Sequence, residues 1–309
     1  MTENQVTQPQ EDGAASPFPN VIGALRLTPQ HYPQGWQGPL PILLEDLDSL
    51  LTFSLLRYPF IRMYNSRGPA PVASYTEARR AGSTMQGGFV NRTGVMRMLT
   101  AGFSFELGAM HEWHEGVAEL AGLLSSQLGV DVDAQMFVTP PGAQALALHR
   151  DLADGLVLHL AGCKRWHAYA RPKEGWSRGV AEETGAPVVD VVLQPGDVLY
   201  FPGGAAHEAV PVGDSLAVHL TFGIRHADET DLAAAILVSA PDAKAASRAP
   251  ATDGELEVFL RQETAGLRDR IAGLRGGGAA TIASRFRQSG AGGQGLRSFS
   301  SQAVPEKTR

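Results

Sequence analysis

Residues 195–209 read PGDVLYFPGGAAHEA, and this stretch decides the fold class. Two turn signals, Pro195-Gly196-Asp197 and Pro202-Gly203-Gly204, bracket a short apolar run. Turn signals this dense are not typical of a helix. The stretch therefore predicts a short strand between two turns, with His207 at the edge of the next strand.

The same pattern extends from Val130 to Gly223, where short apolar runs alternate with turns rich in proline and glycine. The runs are AQMFVTPPG, GLVLHLAG, RWHAYARP, VVDVVLQPGD, VLYFPGG and SLAVHLTFG. Closely spaced short strands with this punctuation predict a mainly β protein, an antiparallel sandwich or barrel such as a jelly roll.

Helices are predicted on both sides of the barrel. The segment LLEDLDSLLTFSLLRYPFIRMYN (43–65) begins with helical spacing and passes at Tyr58-Pro59 into a strand-like run, FIRMY. Residues 112–128 have apolar positions three and four residues apart, and Gly129 is suited to end that helix. After Arg225 the helical pattern returns in DLAAAILV and at 255–274.

Composition divides the chain into four parts. Residues 1–18 are predicted to be a disordered tail because they are too polar to bury a core. Residues 19–225 are the predicted barrel domain, with its core at about 130–225. Residues 226–275 are a predicted helical segment, and residues 276–309 a flexible basic tail.

Charge and cysteine content restrict the function classes. The 309 residues carry a formal net charge of −6, which argues against specific nucleic-acid binding. A single cysteine, Cys163, excludes an internal disulfide and a multi-thiolate metal site. The sequence shows no signal peptide and no apolar stretch of membrane-spanning length, so we expect a soluble, cytoplasmic protein without a membrane partner.

A candidate metal site follows from His149-Arg-Asp151 and from His207, 58 positions after His149. A strand places residues i and i+2 on one face, and a neighbouring strand can bring His207 opposite them. Two histidines and one carboxylate with vacant positions suit non-haem Fe(II). Chance is the alternative, since the chain has nine histidines. A second copy of the motif, His226-Ala-Asp228, precedes a predicted helix and is interpreted as its N-terminal cap.

Three stretches carry a family resemblance: VTPPGAQALALHRD (138–151), GLVLHLAGCKRWHAY (155–169) and PGDVLYFPGGAAH (195–207). In these stretches the chain resembles the JmjC-type cupins, and among them the ribosomal oxygenases, which are Fe(II)- and 2-oxoglutarate-dependent hydroxylases. The resemblance implies a double-stranded β-helix. It also implies that the iron ligands are His149, Asp151 and His207.

Lys164 is the candidate anchor of the cosubstrate. It lies in an otherwise apolar run, and a buried ammonium group needs an anion. The resemblance implies that this anion is the distal carboxylate of 2-oxoglutarate. The alternative is an exposed lysine at a strand end, beside Arg165.

The chain departs from the ribosomal-oxygenase pattern at three positions. Gln135, Phe137 and Gly223 stand where that branch typically carries Asn, Tyr and Ser. Phe137 cannot donate a hydrogen bond, so we expect 2-oxoglutarate to rely more on Lys164 and on Thr139, with Gln135 also at the cosubstrate.

Pro140 and Pro141 fix the backbone ahead of His149. They predict an extended chain that leads into the strand bearing this ligand, and a simple turn is the alternative.

The remaining histidines and the cysteine each have a functional and a structural alternative. The run His111-Glu-Trp-His114 lacks the spacing of a zinc protease signature, and helical surface is the expected role. His159 and His219 lie in apolar strands, where they either line the cavity or belong to the core. Cys163 is expected to pack, since no base partner is evident.

The predicted activity is hydroxylation of a C–H bond by Fe(II) and 2-oxoglutarate, with a protein or peptide side chain as the leading substrate class. Alternatives are a small molecule or amino acid as substrate, or a cupin that binds metal without oxygenase turnover. A zinc hydrolase lacks a suitably spaced base. The apolar stripes of the helices after residue 228 predict a homodimer through them.

Overall fold

The computed structural model describes residues 17–18, 21, 28–182 and 185–226, together with residues 252, 254, 257 and 261. The described residues fall into two compact units. The first contains residues up to 108 together with 135–151 and 155–221. The second contains 109–134, 152–154 and residues from 222 onward.

Three of the predicted parts lie almost entirely outside the described residues. These are the tail at 1–18, the helical segment at 226–275 and the basic tail at 276–309. Within the helical segment, Glu257 and Arg261 are described, lie in helical conformation and form an ion pair. The division into four parts therefore stays a prediction.

Short strands dominate the described chain. The α-helices with described bounds are α1 (Asp46–Phe53), α2 (Arg92–Thr100) and α3 (Glu115–Leu128), and 3₁₀ turns lie at Val72–Ser74 and Met110–Glu112. The strands are β1 (Gln30–Tyr32), β2 (Ile61–Asn65), β3 (Gly68–Pro69), β4 (Thr76–Ala81), β5 (Thr84–Val90), β6 (Ser104–Leu107), β7 (Asp131–Thr139), β8 (His149–Arg150), β9 (Asp154–Ala161), β10 (Cys163–Ala168), β11 (Gly179–Val180), β12 (Val189–Leu193), β13 (Val198–Phe201), β14 (His207–Val212) and β15 (Ala217–Arg225).

The predicted helix at 112–128 is present as α3 and begins three residues late. His114 caps it, because its Nδ1 accepts a hydrogen bond of 3.4 Å from the backbone N–H of Val117. Residues Met110–Glu112 form a 3₁₀ turn instead of the first helical turn. The helix ends at Gly129, whose φ of 68° is the left-handed conformation that favours glycine at this position.

The strands form two large antiparallel sheets. One has eight strands in the order β1-β13-β9-β15-β7-β6-β2-β3, and the other has five in the order β11-β8-β14-β10-β12. The mixing of sequence-distant strands within each sheet is that of a jelly roll, which confirms the predicted fold class. The hairpin β4–β5 forms a separate two-stranded sheet.

Apolar side chains from both sheets meet in one buried cluster. The eight-stranded sheet contributes Val157, Leu199 and Phe201, and the five-stranded sheet contributes Trp166 and Leu193. Burial of these side chains holds the two sheets face to face, since each fully buried large apolar side chain contributes about 1.5–3 kcal/mol. The polar residues of the inner faces are therefore embedded in an apolar surrounding.

Pro140 and Pro141 do not lead an extended chain into the strand of His149, so that prediction is wrong. The backbone N–H of Ala143 donates to the Pro140 carbonyl at 3.2 Å, and the chain turns directly after β7. Gly142 in that turn has a φ of 69°. The fixed φ of each proline suits a turn as well as a strand, and the glycine that follows decides for the turn.

No helix among the described residues combines the length and the apolar character that crossing a membrane requires.

Candidate metal centre

The three predicted ligands converge at one end of the five-stranded sheet. His149 on β8 and His207 on β14 are register partners in an antiparallel pair, and Asp151 follows β8 directly. Asp151 Oδ2 lies 3.6 Å from His149 Nε2 and 3.7 Å from His207 Nε2. The two imidazole rings are 4.3 Å apart between centroids. One atom from each side chain can therefore reach a common ion.

Backbone carbonyl groups orient both imidazoles. His149 Nδ1 lies 2.9 Å from the carbonyl oxygen of Ala147, and His207 Nδ1 lies 3.1 Å from that of Ala205. A carbonyl oxygen can only accept, so each Nδ1 carries the proton and donates it. Each Nε2 then presents its lone pair toward Asp151. This is how metal-binding histidines are usually held.

Burial and charge favour the ligating protonation states. Burial, and then the neighbouring His149, lower the pKa of His207 to about 4, so that this imidazole is neutral at neutral pH. Burial alone would raise the pKa of Asp151. Its interactions with His149, His207 and Arg178 outweigh that burial and lower the pKa overall. The site thus offers a neutral imidazole at His207 and a carboxylate at Asp151.

Two hydrogen bonds connect the turn that precedes His207 to Arg150 and Asp151. The backbone N–H of Gly204 donates to the carbonyl of Asp151 at 2.8 Å, and Arg150 Nη1 donates to the carbonyl of Gly204 at 2.6 Å. A Cβ at Gly204, whose φ is 84°, would lie 2.5 Å from the indole of Trp176. Glycine is therefore required here on two grounds.

The donor set fits a redox-active divalent metal. Among the described residues, His149, Asp151 and His207 form a cluster of possible metal ligands, and their ligand atoms all lie within 4.8 Å of one another. Two imidazoles and one carboxylate on one face leave other coordination positions open, the pattern of non-haem Fe(II) sites.

Lys164 lies on the inner face of β10, as its candidate role requires. Its side chain is 2% exposed, and Nζ donates a hydrogen bond of 3.1 Å to Thr139 Oγ1. Burial lowers its pKa to about 7. Among the described residues, no carboxylate forms an ion pair with Nζ. The interpretation of Lys164 as an exposed lysine at a strand end is therefore wrong.

The remaining cosubstrate candidates share a face of β7 with Thr139, because alternate residues of a strand point the same way. Gln135 and Phe137 are half-buried on that face. Phe137 stacks on His219, with ring centroids 5.0 Å apart and an interplanar angle of 9°. Gln135 forms no hydrogen bond with a described residue. Its role at the cosubstrate stays a prediction.

Gly223 departs from the family pattern for a steric reason. A Cβ at this position would lie 2.5 Å from Asp133 Oδ1. The carboxylate of Asp133 therefore occupies the space that a serine side chain would take.

The other histidine motifs are structural. His111 Nδ1 accepts a hydrogen bond of 3.1 Å from the Ala134 backbone N–H. With His114 capping α3, the run His111-Glu-Trp-His114 is not a metal site. His226 Nε2 lies 2.8 Å from Asp154 Oδ2. Its motif partner Asp228, the predicted helix cap, lies outside the described residues.

One polar group on the inner face was not predicted from the sequence. Tyr64 Oη donates to Glu106 Oε2 at 2.6 Å, and Arg62 forms an ion pair with the same carboxylate. Glu106 is 4% exposed and is the register partner of Phe137. Burial, then Glu106, raises the pKa of Tyr64 well above its usual value, and Asp151 contributes to the rise. The sequence did hold one signal for this group: Arg62 and Tyr64 lie two residues apart in β2, so their side chains share a face.

Known proteins resemble this chain in its central part. Residues 111–232 match the family model of the JmjC domain. The bifunctional lysine-specific demethylase and histidyl-hydroxylase NO66 of Drosophila persimilis is 42% identical over 95 residues, 29% of this chain and 14% of the relative. The Dictyostelium discoideum protein of the same name is 35% identical over 127 residues, 39% of this chain and 25% of the relative. The match thus spans a quarter or less of these relatives' own length.

A solved structure supports the fold over a longer range. It is that of YcfD, a ribosomal oxygenase from Escherichia coli, in complex with cobalt and 2-oxoglutarate. The superposition has a TM-score of 0.52 at 19% identity and covers 84% of this chain and 67% of YcfD. Residues 111–232 therefore resemble a JmjC domain, and the barrel that carries His149, Asp151 and His207 has the fold of a double-stranded β-helix.

Proposed function

We propose that this chain is an Fe(II)- and 2-oxoglutarate-dependent oxygenase that hydroxylates a C–H bond. One observation carries the proposal: the Nε2 atoms of His149 and His207 face the carboxylate of Asp151 within 3.7 Å. In the same barrel, Lys164 is a buried cation with no described acid to pair with. A candidate metal site and a buried cation in one barrel are what a metal-bound dicarboxylate requires.

The overall reaction consumes one O₂ and one 2-oxoglutarate for each C–H bond. When bound, iron with the keto acid supplies oxygen activation: one oxygen atom enters succinate as CO₂ leaves, and the other enters the substrate as a hydroxyl group. His149, Asp151 and His207 would hold the metal. Lys164 would hold the distal carboxylate by a charge-assisted hydrogen bond.

The apolar walls serve this chemistry by excluding water. Trp166 and Phe201 are 4% and 3% exposed, and the Phe201 ring lies 4.0 Å from that of His207 between centroids. A dry surrounding strengthens the attraction between Lys164 and a carboxylate. Excluding water also limits side reactions between water and the activated oxygen.

The substrate class is a protein or peptide side chain. The names of the relatives, histidyl-hydroxylase and lysine-specific demethylase in one case and ribosomal oxygenase in the other, support this class. A small molecule or amino acid is the second candidate. Homodimerisation through the helices after residue 228 and a cytoplasmic location are also part of the proposal, and light scattering at micromolar concentration tests the dimer.

The test measures two products. The protein is incubated with Fe(II), 2-oxoglutarate and O₂, with histidine-containing ribosomal peptides, methyl-lysine peptides and free amino acids as candidate substrates. We expect succinate formation that depends on Fe(II), and one substrate that gains the mass of one oxygen atom. The His149→Ala protein is the control and should form no succinate above the background without iron.

Two outcomes separate the alternatives. Succinate formation without any oxidised substrate identifies an oxygenase whose substrate is outside the tested set. If the protein binds metal but forms no succinate under any condition, it is a cupin without oxygenase turnover, and the proposed function is wrong.

A further inference from the structure

His219 on β15 is a buried histidine held between two aromatic rings. Its side chain is 3% exposed. Phe137 stacks on one side of the imidazole at 5.0 Å, and the Trp166 ring meets it edge-on at 5.2 Å with an interplanar angle of 81°. These contacts fix the ring plane, so the imidazole nitrogens point in defined directions.

The ring nitrogens of His219 form no hydrogen bond with any described residue. Nδ1 is fully buried and has no hydrogen-bond partner among the described residues. No described residue bonds to Nε2 either. The nearby His159 also has a buried, unpaired Nδ1, but its Nε2 lies 3.1 Å from the Gly162 carbonyl oxygen. A buried polar atom left unpaired is unfavourable, so His219 differs from an ordinary core histidine.

His219 is neutral and therefore has one N–H to donate. Burial, and then the nearby Lys164, hold its pKa well below the usual value for histidine. His159 and His207 act in the same direction. A neutral imidazole has one donor and one acceptor nitrogen, so its donor remains available across the physiological pH range.

His219 lies beside the cation that would bind the cosubstrate. Lys164 Nζ is 5.9 Å from the centroid of the Trp166 ring, the same ring against which His219 packs. Both side chains thus lie against one ring, and Lys164 is near enough to lower the pKa of His219. In the described residues neither has an acidic partner. Phe137 supplies no donor of its own but positions the imidazole by stacking on it.

We propose that His219 donates a hydrogen bond to the distal carboxylate of the 2-oxo dicarboxylic acid that Lys164 binds. The inference rests on the proposed function, because it needs a keto acid in this cavity. His219 is then a cosubstrate-binding residue that supplies the hydrogen bond Phe137 cannot make. Lys164, Thr139 and His219 together would satisfy the carboxylate from β10, β7 and β15.

The test measures binding in the absence of turnover. The protein is loaded with Mn(II), which does not support the reaction, and 2-oxoglutarate is titrated by calorimetry. We expect His219→Leu to weaken 2-oxoglutarate binding by about tenfold or more, the effect of losing a hydrogen bond to a charged group. His219→Gln retains a donor and should bind more tightly than His219→Leu. The affinity for Mn(II) should be the same in all three proteins.

A second ligand localises the effect. 2-Oxopentanoate keeps the keto acid but lacks the distal carboxylate, so wild type and His219→Leu should bind it equally. If His219→Leu binds 2-oxoglutarate as tightly as wild type, the inference is wrong and the proposed function stands. If wild-type protein loaded with Mn(II) does not bind 2-oxoglutarate at all, the proposed function itself fails.

A measurement on the wild-type protein covers the case in which His219→Leu does not fold. Protein labelled with ¹⁵N-histidine is loaded with diamagnetic Zn(II), and the ring of His219 is assigned through its contacts with Phe137 and Trp166. Addition of 2-oxoglutarate should move the ring N–H proton of His219 downfield, and 2-oxopentanoate should not. An unchanged N–H proton in the 2-oxoglutarate complex contradicts the inference.

Discussion

Both faces of the five-stranded sheet carry charged residues, but the charges have different kinds of partner on the two faces. On the outer face, Arg165 donates two hydrogen bonds of 2.8 Å to the Asp190 carboxylate. His167 lies 3.3 Å from both Asp190 and Glu208. On the inner face of the same strand, Lys164 forms one hydrogen bond, to a neutral hydroxyl group. Outer charges are neutralised by one another, whereas the inner cation is not neutralised by any described residue.

The difference between the two faces separates charges that only pair with one another from a charge that is available to bind a ligand. Exposed ion pairs keep water as an alternative partner, so they contribute little to either stability or function. A buried cation without an anion destabilises the free protein, and such a cost is expected where a ligand supplies the missing partner. His207 and Glu208 repeat the contrast, since His207 points inward to the candidate metal site and Glu208 outward to His167.

The largest effect is expected from loss of a metal ligand. His207→Ala should reduce Fe(II)-dependent succinate formation by at least about 100-fold, more than changes around metal ligands usually cost. The matched control is His167→Ala, a histidine on the outer face of the same sheet, which should retain activity close to wild type. The two variants are compared by initial rates at saturating 2-oxoglutarate. Equal losses in both would remove the distinction between the two faces.

Replacing the buried cation should have the next largest effect. Lys164→Met should weaken 2-oxoglutarate binding by about 30-fold or more, because one partner of a buried charged hydrogen bond is lost. The free energy of unfolding of the ligand-free protein should stay the same or rise, because a buried charge is removed. Arg165→Met, one residue away on the outer face, should leave 2-oxoglutarate affinity unchanged. Calorimetry and denaturant titration measure the two quantities.

The pH dependence follows from the lowered pKa of Lys164. Burial places this pKa at about 7 in the free protein, and a bound carboxylate favours the protonated form and raises it. Affinity for 2-oxoglutarate should therefore be greatest below pH 7 and fall by up to about tenfold per pH unit above it, until the pKa of the complex is reached. Lys164→Arg stays charged, so its affinity should lack this slope. A flat profile in wild type would show that Lys164 does not bind the anion.

The smallest effect is expected at Thr139. Thr139→Val removes the hydroxyl that accepts from Lys164 Nζ and keeps the side-chain volume, and the net contribution of such a bond is about 0.5–1.5 kcal/mol. We expect 2-oxoglutarate affinity to fall by about two- to tenfold. Thr139→Ser retains the hydroxyl and should bind close to wild type. A Thr139→Val protein that loses all affinity would assign Thr139 a larger role than orienting Lys164.

The sequence predicted the parts of the site that depend on local spacing. His149 and Asp151 lie two residues apart, with Asp151 directly after β8, and His207 follows a turn whose glycines are evident in the sequence. Lys164 was identifiable because its neighbours are apolar. These features depend on neighbouring residues, so they could be interpreted without coordinates.

The parts that depend on packing between distant strands could not be predicted. His219 is one histidine in an apolar run, and the sequence alone did not decide whether it lines the cavity or belongs to the core. Its stacking on Phe137 and its unpaired nitrogen depend on how β7 and β15 are arranged. Glu106 was missed for the same reason, since its burial depends on β2. The turn after β7 was mispredicted because proline fits a turn and an extended chain equally well.

The central claim is that the inner face binds one metal and one dicarboxylate side by side. A crystal structure of the protein with Mn(II) and 2-oxoglutarate, with the metal located by anomalous scattering, tests it most directly. The account predicts one Mn(II) bound by His149 Nε2, His207 Nε2 and the Asp151 carboxylate, with the distal carboxylate of the keto acid on Lys164. A metal bound elsewhere, or a keto acid absent from the barrel at saturating concentration, would contradict it.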